Sequence, residues 1–213
     1  MSDWFYRTFR LVGRHALWVS ADASVSGAKN IPERGGCLIA ATHTSPYDVP
    51  ILIRHVPRLL DFVSIVEVFR IPVVGWFYGN MNAFPLERAR ADAATTRTIL
   101  ARLAAGRVVV MFPEGRLRRG KDSVVRTGSI RPGLGRLVKL AGVPVIPAVI
   151  VNSAAYAKPR AWLPLRRTRY AIAFGPAIRP DGDTKEIERL VLESFTALYT
   201  AAAAELPEEC RVM

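Results

Sequence analysis

The sequence is poor in cysteine and histidine and has no long apolar run. Two cysteines, Cys37 and Cys210, occur among 213 residues, which excludes a disulfide framework and favours a reducing compartment. With three histidines and no cysteine cluster, we expect no structural metal. No stretch reaches the roughly 18 uninterrupted apolar residues of a membrane-spanning helix. Half of the residues are hydrophobic, so the chain can still bury a substantial core.

Acidic residues are the minority among the charges. The chain has 18 of them against 30 lysines and arginines, a formal net charge of +12, and its pI is near 10.5. This balance points to nucleic acid, anionic lipid or a phosphorylated substrate as partner. Arginine dominates lysine, and its planar fork suits phosphate. Because the arginines are dispersed and no nucleic-acid-binding module accompanies them, we expect an anionic membrane surface or a phosphorylated molecule, and no nucleic acid.

The N-terminal segment has the pattern of an amphipathic helix. One face carries Phe5, Phe9, Val12 and Ala16, the opposite face carries Arg7, Arg10 and Arg14, and Trp4, Leu11 and Trp18 lie beside the arginines. Residues 1–20 therefore predict a helix lying in a membrane interface, with arginines toward anionic lipid. The alternative is an ordinary helix docked on its own domain. We expect a peripheral protein on the cytoplasmic face of a membrane, without a transmembrane helix.

Strand and helix patterns alternate along the rest of the chain. Predicted strands cover residues 38–41, 62–66, 107–112, 145–151 and 170–174, and predicted helices cover 89–105, 132–141 and a segment beginning after Asp183. This order predicts an α/β fold with a mixed, largely parallel sheet flanked by helices. We expect residues 21–213 to form a single domain.

A histidine and an aspartate follow the first of these strands. His43 comes just after residues 38–41, and Asp48 lies five positions further on. Asp48 can accept a hydrogen bond from one nitrogen of His43, so that the other takes a proton from a substrate hydroxyl. Alternatively, Ser45 caps a helix that begins at Pro46, and Asp48 completes a capping box. One carboxylate can serve both purposes.

A glutamate and several arginines follow a later strand. Glu114, Gly115, Arg116 and Arg118 come directly after residues 107–112. Charged side chains and a glycine at the carboxyl end of a buried strand fit a site for a phosphorylated molecule. The alternative is a solvated turn with a charged rim.

Four short blocks resemble, in order, those of the glycerolipid acyltransferases typified by 1-acylglycerol-3-phosphate acyltransferase. They are His43 to Asp48, Phe84 to Arg88, Phe112 to Gly115 and Val143 to Pro147. The resemblance implies a glycerol-3-phosphate acyltransferase-like fold. It also implies transfer of a fatty acyl group from acyl-CoA or acyl carrier protein, as donor substrate and without a further cofactor. The acceptor is a lysophospholipid hydroxyl, foremost that of 1-acylglycerol-3-phosphate, which gives phosphatidate.

The resemblance also implies roles for individual residues. His43 matches the family's general base and Asp48 its partner. Arg88, Glu114 and Gly115 match positions that hold the phosphate of the acceptor.

Two departures from the family pattern affect the acceptor site. The third block usually runs Glu-Gly-Thr-Arg-Ser, but here Arg116-Leu117-Arg118 follows Gly115, so either arginine could do the work of the family arginine. A lysine frequent after the first block is Ile65 here. These changes bear on the identity of the acceptor more than on the reaction.

The expected mechanism is direct acyl transfer with His43 as base. Backbone N–H groups between Ser45 and Tyr47 are the expected donors to the tetrahedral oxyanion. Other acceptors remain open: glycerol phosphate, another lysolipid or a lipid amino acid. So do two other classes, a lipid hydrolase and a non-catalytic peripheral protein that binds anionic lipid. The absence of a Gly-x-Ser-x-Gly elbow counts against the hydrolase.

Overall fold

The computed structural model describes residues 3–86, 93–163 and 167–211, which contain seven strands and eight α-helices. The strands are β1 (Ala21–Ser26), β2 (Cys37–Ala41), β3 (Leu60–Ile65), β4 (Ala83–Leu86), β5 (Val108–Met111), β6 (Val145–Val151) and β7 (Thr168–Phe174). The helices are α1 (Asp3–Ser20), α2 (Asp48–His55), α3 (Val66–Phe69), α4 (Pro72–Asn80), α5 (Ala93–Ala104), α6 (Val124–Thr127), α7 (Leu134–Ala141) and α8 (Thr184–Ala204).

The seven strands form one sheet in the order β1-β7-β6-β2-β5-β3-β4. Neighbouring strands run parallel except at the β6–β7 pair, so the predicted mixed, largely parallel sheet is confirmed. β2 lies at the centre, and all of its residues are buried, which explains its unbroken apolar sequence. Ala40 of β2 pairs in register with Met111 of β5. The loops that follow these two strands therefore leave the sheet side by side.

Helices cover both faces of the sheet. Cys37, Ile39 and Ala41 of β2 belong to the core cluster that packs under α1, α2 and α4. Leu38 and Ala40 belong to the cluster under α5, α6, α7 and α8. The alternation along β2 thus separates two helical layers, α1–α4 on one face and α5–α8 on the other.

Pro147 lies inside β6, where proline is normally excluded from a sheet. Thr42 N donates to Ala148 O, so the backbone polar groups of Ala148 face β2 and those of Pro147 face β7. Pro147 O accepts from Gly175 N at 2.8 Å, just after β7 has ended. The missing N–H therefore falls beyond the end of the β7 ladder, and the predicted strand at 145–151 is confirmed.

α1 packs on the rest of the chain through Tyr6 and through Phe5 and Phe9 of the predicted apolar face. Tyr6 is buried, and its hydroxyl accepts a hydrogen bond at 3.3 Å from the backbone of the first residue of β3. Phe5 and Phe9 make edge contacts with Phe77, with ring centroids 6.1 and 5.1 Å apart. Val12, on the same predicted apolar face as Phe5 and Phe9, is 65% exposed, and Tyr6 takes the buried position.

The outer side of α1 keeps apolar side chains in solvent. Trp4 is 72% and Leu11 61% exposed, and Arg10 turns inward to donate to Pro57 O at 3.1 Å. In the described part of the chain, no helix combines the length and apolar character needed to cross a membrane.

Two strands and one helix boundary differ from the sequence expectation. β1 and β4 lie at the edges of the sheet, and neither was among the predicted strands. β1 alternates small apolar residues and one valine with polar ones, and β4 is an apolar segment of only four residues that contains Pro85. α5 begins at Ala93 among the described residues. The first residues of the predicted helix at 89–105 lie outside them.

Candidate active site

His43 and Asp48 form the pair that the sequence predicted. His43 lies two residues beyond β2, and its Nδ1 is 3.1 Å from Asp48 Oδ2 on the first turn of α2. The His43 side chain is 19% exposed and that of Asp48 is fully buried. Because a carboxylate only accepts hydrogen bonds, Nδ1 carries the hydrogen and Nε2 keeps a free lone pair. The geometry thus leaves a proton acceptor at the surface of the site.

Asp48 also holds the loop between β2 and α2 (residues 42–47, the His43 loop). Its Oδ2 accepts from Thr44 N at 2.8 Å and from Ser45 N at 2.9 Å. α2 begins at Asp48 and its N-cap position is Tyr47, later than the alternative in which Ser45 caps a helix that begins at Pro46. Ser45 Oγ accepts from Tyr47 N at 3.3 Å, and the bond from Ser45 N to Asp48 is the reciprocal bond of a capping box. The carboxylate of Asp48 thus serves both the loop and the His43 ring.

The turn after β5 packs against His43 from two sides. The Phe112 ring stacks on the imidazole with centroids 3.9 Å apart and planes 17° from parallel. Glu114 is fully buried, and its Oε1 accepts from His43 N at 2.9 Å. Burial raises the pKa of Glu114 to about 7, although the hydrogen bond from His43 N and the charge of Arg118 act in the opposite direction. Glu114 therefore contacts the backbone behind His43 and presents no surface to a ligand.

Gly115 and the arginines after it surround this turn. Gly115 has φ +68°, a backbone conformation that favours glycine. A Cβ at this position would lie 2.4 Å from Arg131 Nε, so the Arg131 side chain occupies the space beside the glycine. Arg116 is exposed, whereas Arg118 is partly buried and donates from Nη1 to Ser129 O at 3.3 Å. Of the two arginines left open by the sequence, Arg116 has the freer side chain.

The segment 118–119 fixes the carbonyl groups of the His43 loop. Arg118 N donates to His43 O at 2.9 Å, and Arg119 Nε donates to Thr44 O at 2.5 Å. Arg119 is one of the arginines that follow the predicted strand at 107–112, although no role was assigned to it, and Arg131 was not identified from the sequence. Only the folded turn brings Arg131 to the site.

The backbone N–H groups of the His43 loop are already used. Those of His43, Thr44 and Ser45 donate to buried carboxylates. Tyr47 N donates to Ser45 Oγ and Asp48 N to Ser45 O. The expected oxyanion donors between Ser45 and Tyr47 are therefore not available, because the same N–H groups fix the loop.

Two further features bear on the site. Arg88, the cation expected from the second block, lies outside the described residues.

On the layer of α1–α4, an apolar patch consists of the exposed side chains Trp4, Ile71, Val73 and Trp76, with exposures between 56% and 77%. It is continuous from α1 to α4, because Trp76 contacts the Phe5 ring with centroids 5.2 Å apart. We call it the α1–α4 patch.

Known acyltransferases resemble this chain in sequence. The chloroplastic 1-acyl-sn-glycerol-3-phosphate acyltransferase BAT2 of Brassica napus is 28% identical over 146 residues, 64% of this chain and 41% of that protein. The 1-acyl-sn-glycerol-3-phosphate acyltransferase of Bacillus subtilis is 26% identical over 133 residues, 62% of this chain and 64% of that protein. The matched chain thus spans less than two thirds of each relative.

A solved structure shares the fold. The crystal structure of the 1-acyl-sn-glycerophosphate (LPA) acyltransferase PlsC from Thermotoga maritima matches with a TM-score of 0.69 and 23% identity over 90% of this chain and 77% of that one. The family model described as Acyltransferase matches residues 22–151, which include His43, Asp48 and Glu114. Because this match covers more than half of the sequence, the chain belongs to the acyltransferase family.

Proposed function

We propose that this protein transfers a fatty acyl group from a thioester donor to the free hydroxyl of 1-acylglycerol-3-phosphate. The observation that carries the proposal is the hydrogen bond from His43 Nδ1 to the buried Asp48. The backbone of the loop that carries His43 is fixed by hydrogen bonds to Glu114, Asp48 and Arg119. Membership of the acyltransferase family and relatives named for this reaction support the choice of acceptor.

His43 acts as the general base in this proposal. Its Nε2 takes the proton of the acceptor hydroxyl while the oxygen forms a bond to the thioester carbonyl carbon. The tetrahedral intermediate then collapses, the carbon–sulfur bond breaks, and the imidazolium returns the proton to the departing thiolate. Asp48 keeps the ring in one tautomer and favours its charged form between the two steps.

Arg119 is our candidate for stabilising the oxyanion. The loop N–H groups are occupied, so a donor must come from a side chain. Arg119 uses Nε to bind Thr44 O, one residue from His43, and its Nη groups make no hydrogen bond in the described part of the chain. A fixed guanidinium of this kind offers donors and a positive charge without reorganisation during the reaction.

The acceptor phosphate is the proposed ligand of the exposed arginines. Arg116 has no partner among the described residues and stands three positions from Arg119, and Arg88 is proposed to contribute from the second block. A phosphate bound between guanidinium groups would fix the hydroxyl relative to His43, and orientation of this kind lowers the barrier. Gly115 contributes by admitting the Arg131 side chain to the same turn, whereas Glu114 supports the His43 loop.

We also propose that the α1–α4 patch rests on an anionic membrane surface. Two exposed tryptophans and two branched aliphatic side chains are typical of a surface that enters the headgroup region, and the net charge of +12 attracts anionic lipid. A lysophospholipid acceptor resides in such a surface. Peripheral binding would bring the acceptor to the side of the sheet that carries α1 and α4.

An acceptor and donor panel tests the proposal. The purified full chain is incubated with acyl-CoA or acyl carrier protein donors and with 1-acylglycerol-3-phosphate, glycerol 3-phosphate, a neutral lysolipid or a lipid amino acid. We expect thiol release that depends on the acceptor, fastest with 1-acylglycerol-3-phosphate, and phosphatidate as product. Free fatty acid released without acceptor would indicate a hydrolase, and vesicle binding without thioester turnover would indicate a lipid-binding protein; either result contradicts the proposal.

A further inference from the structure

A basic cleft lies on the layer opposite the α1–α4 patch. It has a volume of about 420 Å³, within the range of about 300–1,000 Å³ of small-ligand sites. The residues that matter for its chemistry are Gly120, Lys121, Arg126, Tyr199 and Arg211. They come from the short turn before α6, from α6 itself, from α8 and from the segment after α8. We call it the α6–α8 cleft.

The cleft combines three cations with an aromatic ring. Lys121, Arg126 and Arg211 make no ion pair in the part of the chain that the structure describes. The Arg211 guanidinium is fixed by donation from Nε to Leu206 O at 3.0 Å, and the Tyr199 hydroxyl donates to Arg211 O at 3.0 Å. Unpaired cations beside a held ring fit a ligand that carries phosphates and a planar base.

The α6–α8 cleft is connected to the His43 loop through the segment that forms one of its walls. Gly120 follows Arg119, whose side chain binds Thr44 O. Val124 at the start of α6 follows the cleft residue Ser123 and lies in the same core cluster as Leu38 and Ala40 of β2, the strand that ends just before His43. The wall of the cleft is therefore continuous with the segment that holds the loop of the candidate base.

We propose that the α6–α8 cleft binds the 3′-phosphorylated ADP end of acyl-CoA. This inference rests on the proposed acyl transfer. CoA joins a phosphorylated adenine nucleotide to its thioester through a long flexible arm, so the nucleotide must be held away from the reacting carbon. A recessed cleft with three cations and one ring suits this small ligand better than the broad face of a carrier protein. The acceptor would then approach from the α1–α4 layer and the water-soluble donor from the α5–α8 layer.

Direct binding of CoA and of 3′,5′-ADP to the full chain tests this proposal without requiring turnover. Calorimetry is performed on wild type, Lys121→Glu, Arg126→Glu and the control Arg179→Glu, an exposed arginine near the bridge between Ile178 and Val145 at the opposite end of β6. We expect both cleft variants to raise the Kd of each probe at least tenfold and the control to leave it within twofold. Unchanged binding in both cleft variants would overturn the proposal.

Steady-state kinetics separate this inference from the proposed function. In the cleft variants, KM for acyl-CoA should rise tenfold or more while kcat stays near wild type, and turnover of acyl-pantetheine, which lacks the nucleotide, should not change. Loss of turnover with both donors at unchanged CoA affinity would contradict the cleft. Impaired use of acyl carrier protein with normal use of acyl-CoA would assign the surface to a protein partner and also overturn the proposal. If wild type binds CoA in the cleft but transfers no acyl group, the proposed function fails and the cleft stands.

Discussion

Glu114 Oε1 accepts the amide hydrogen of His43 at 2.9 Å, and this bond joins the loops that leave β2 and β5. The carboxylate is fully buried, and its second oxygen, Oε2, has no hydrogen-bond partner in the described part of the chain. Glu114 of the third sequence block thus binds the backbone of His43 in the first block through its side chain. A group that the family resemblance assigns to the acceptor phosphate is, in this fold, placed to hold the histidine.

The buried Glu114 should make stability depend on pH. Burial raises its native pKa to about 7 from an ordinary value of 4.5, so between these values the native state binds the proton and the unfolded chain releases it. The stabilisation is complete below pH 4.5 and is lost as the pH rises through 7. Relative to Glu114→Gln, wild type should lose about 3 kcal/mol of unfolding free energy across this window, at about 1.4 kcal/mol per pKa unit.

Urea unfolding of both proteins between pH 4 and 8 measures this difference. The control Glu33→Gln removes an exposed carboxylate and should run parallel to wild type. Parallel curves for Glu114→Gln as well would show that the pKa of Glu114 is the same in the native and unfolded states and would contradict the prediction.

Asp48→Asn should lower kcat far more than it changes KM. The Asp48 oxygen accepts from the His43 ring and from two backbone N–H groups, and an amide carbonyl carries no charge to orient the ring or to favour its protonated form. We expect a loss of kcat of about a hundredfold or more and a loss of stability of about 1–3 kcal/mol. Asp22→Asn, at an exposed pair with Arg169, is the control. A rise in KM at constant kcat would argue against the orienting role.

Arg116→Ala should weaken use of the phosphorylated acceptor. Its guanidinium is exposed and free of partners among the described residues, so its removal costs little stability. KM for 1-acylglycerol-3-phosphate should rise about tenfold, while turnover with a phosphate-free monoacylglycerol should stay the same. Arg179→Ala is the matched control. Equal effects on both acceptors would remove Arg116 from phosphate binding.

Val73→Asp should reduce binding to anionic vesicles. Val73 is 77% exposed in the α1–α4 patch, and burying one such side chain contributes about 1.5–3 kcal/mol, so we expect at least a tenfold loss in a sedimentation assay. Leu140→Asp, at a 58% exposed position of α7 on the other layer, is the control. If both variants bind vesicles alike, the patch does not contact the membrane.

The central strands and the His43–Asp48 pair were predictable because their signals are local. A buried parallel strand must be apolar throughout, and a pair five residues apart meets within one loop and one helical turn. Edge strand β1 alternates small apolar residues with polar ones, and the apolar β4 is only four residues long and contains a proline, so neither was recognised as a strand. For Asp48 the sequence offered two partners, the His43 ring and the backbone at Ser45, and in the fold one carboxylate oxygen contacts both.

Contacts between distant segments could not be read from the sequence. Arg119 and Thr44 are far apart along the chain, and no spacing rule brings a guanidinium to a carbonyl of another loop. The buried Asp61 of β3 binds Arg102 of α5 and Arg107, which precedes β5, and no sequence pattern predicted these ion pairs. Such pairs arise from strand order, which places β5 between β2 and β3.

Acyl transfer by His43→Ala tests the central claim most directly. The purified variant and wild type are compared for thiol release and phosphatidate formation with acyl-CoA and 1-acylglycerol-3-phosphate, with thermal unfolding and vesicle binding measured alongside. We predict a loss of kcat of at least about a hundredfold, since a positioned base contributes that much or more, with folding and vesicle binding preserved. Turnover at the wild-type rate in a folded His43→Ala protein would contradict general-base catalysis at this site.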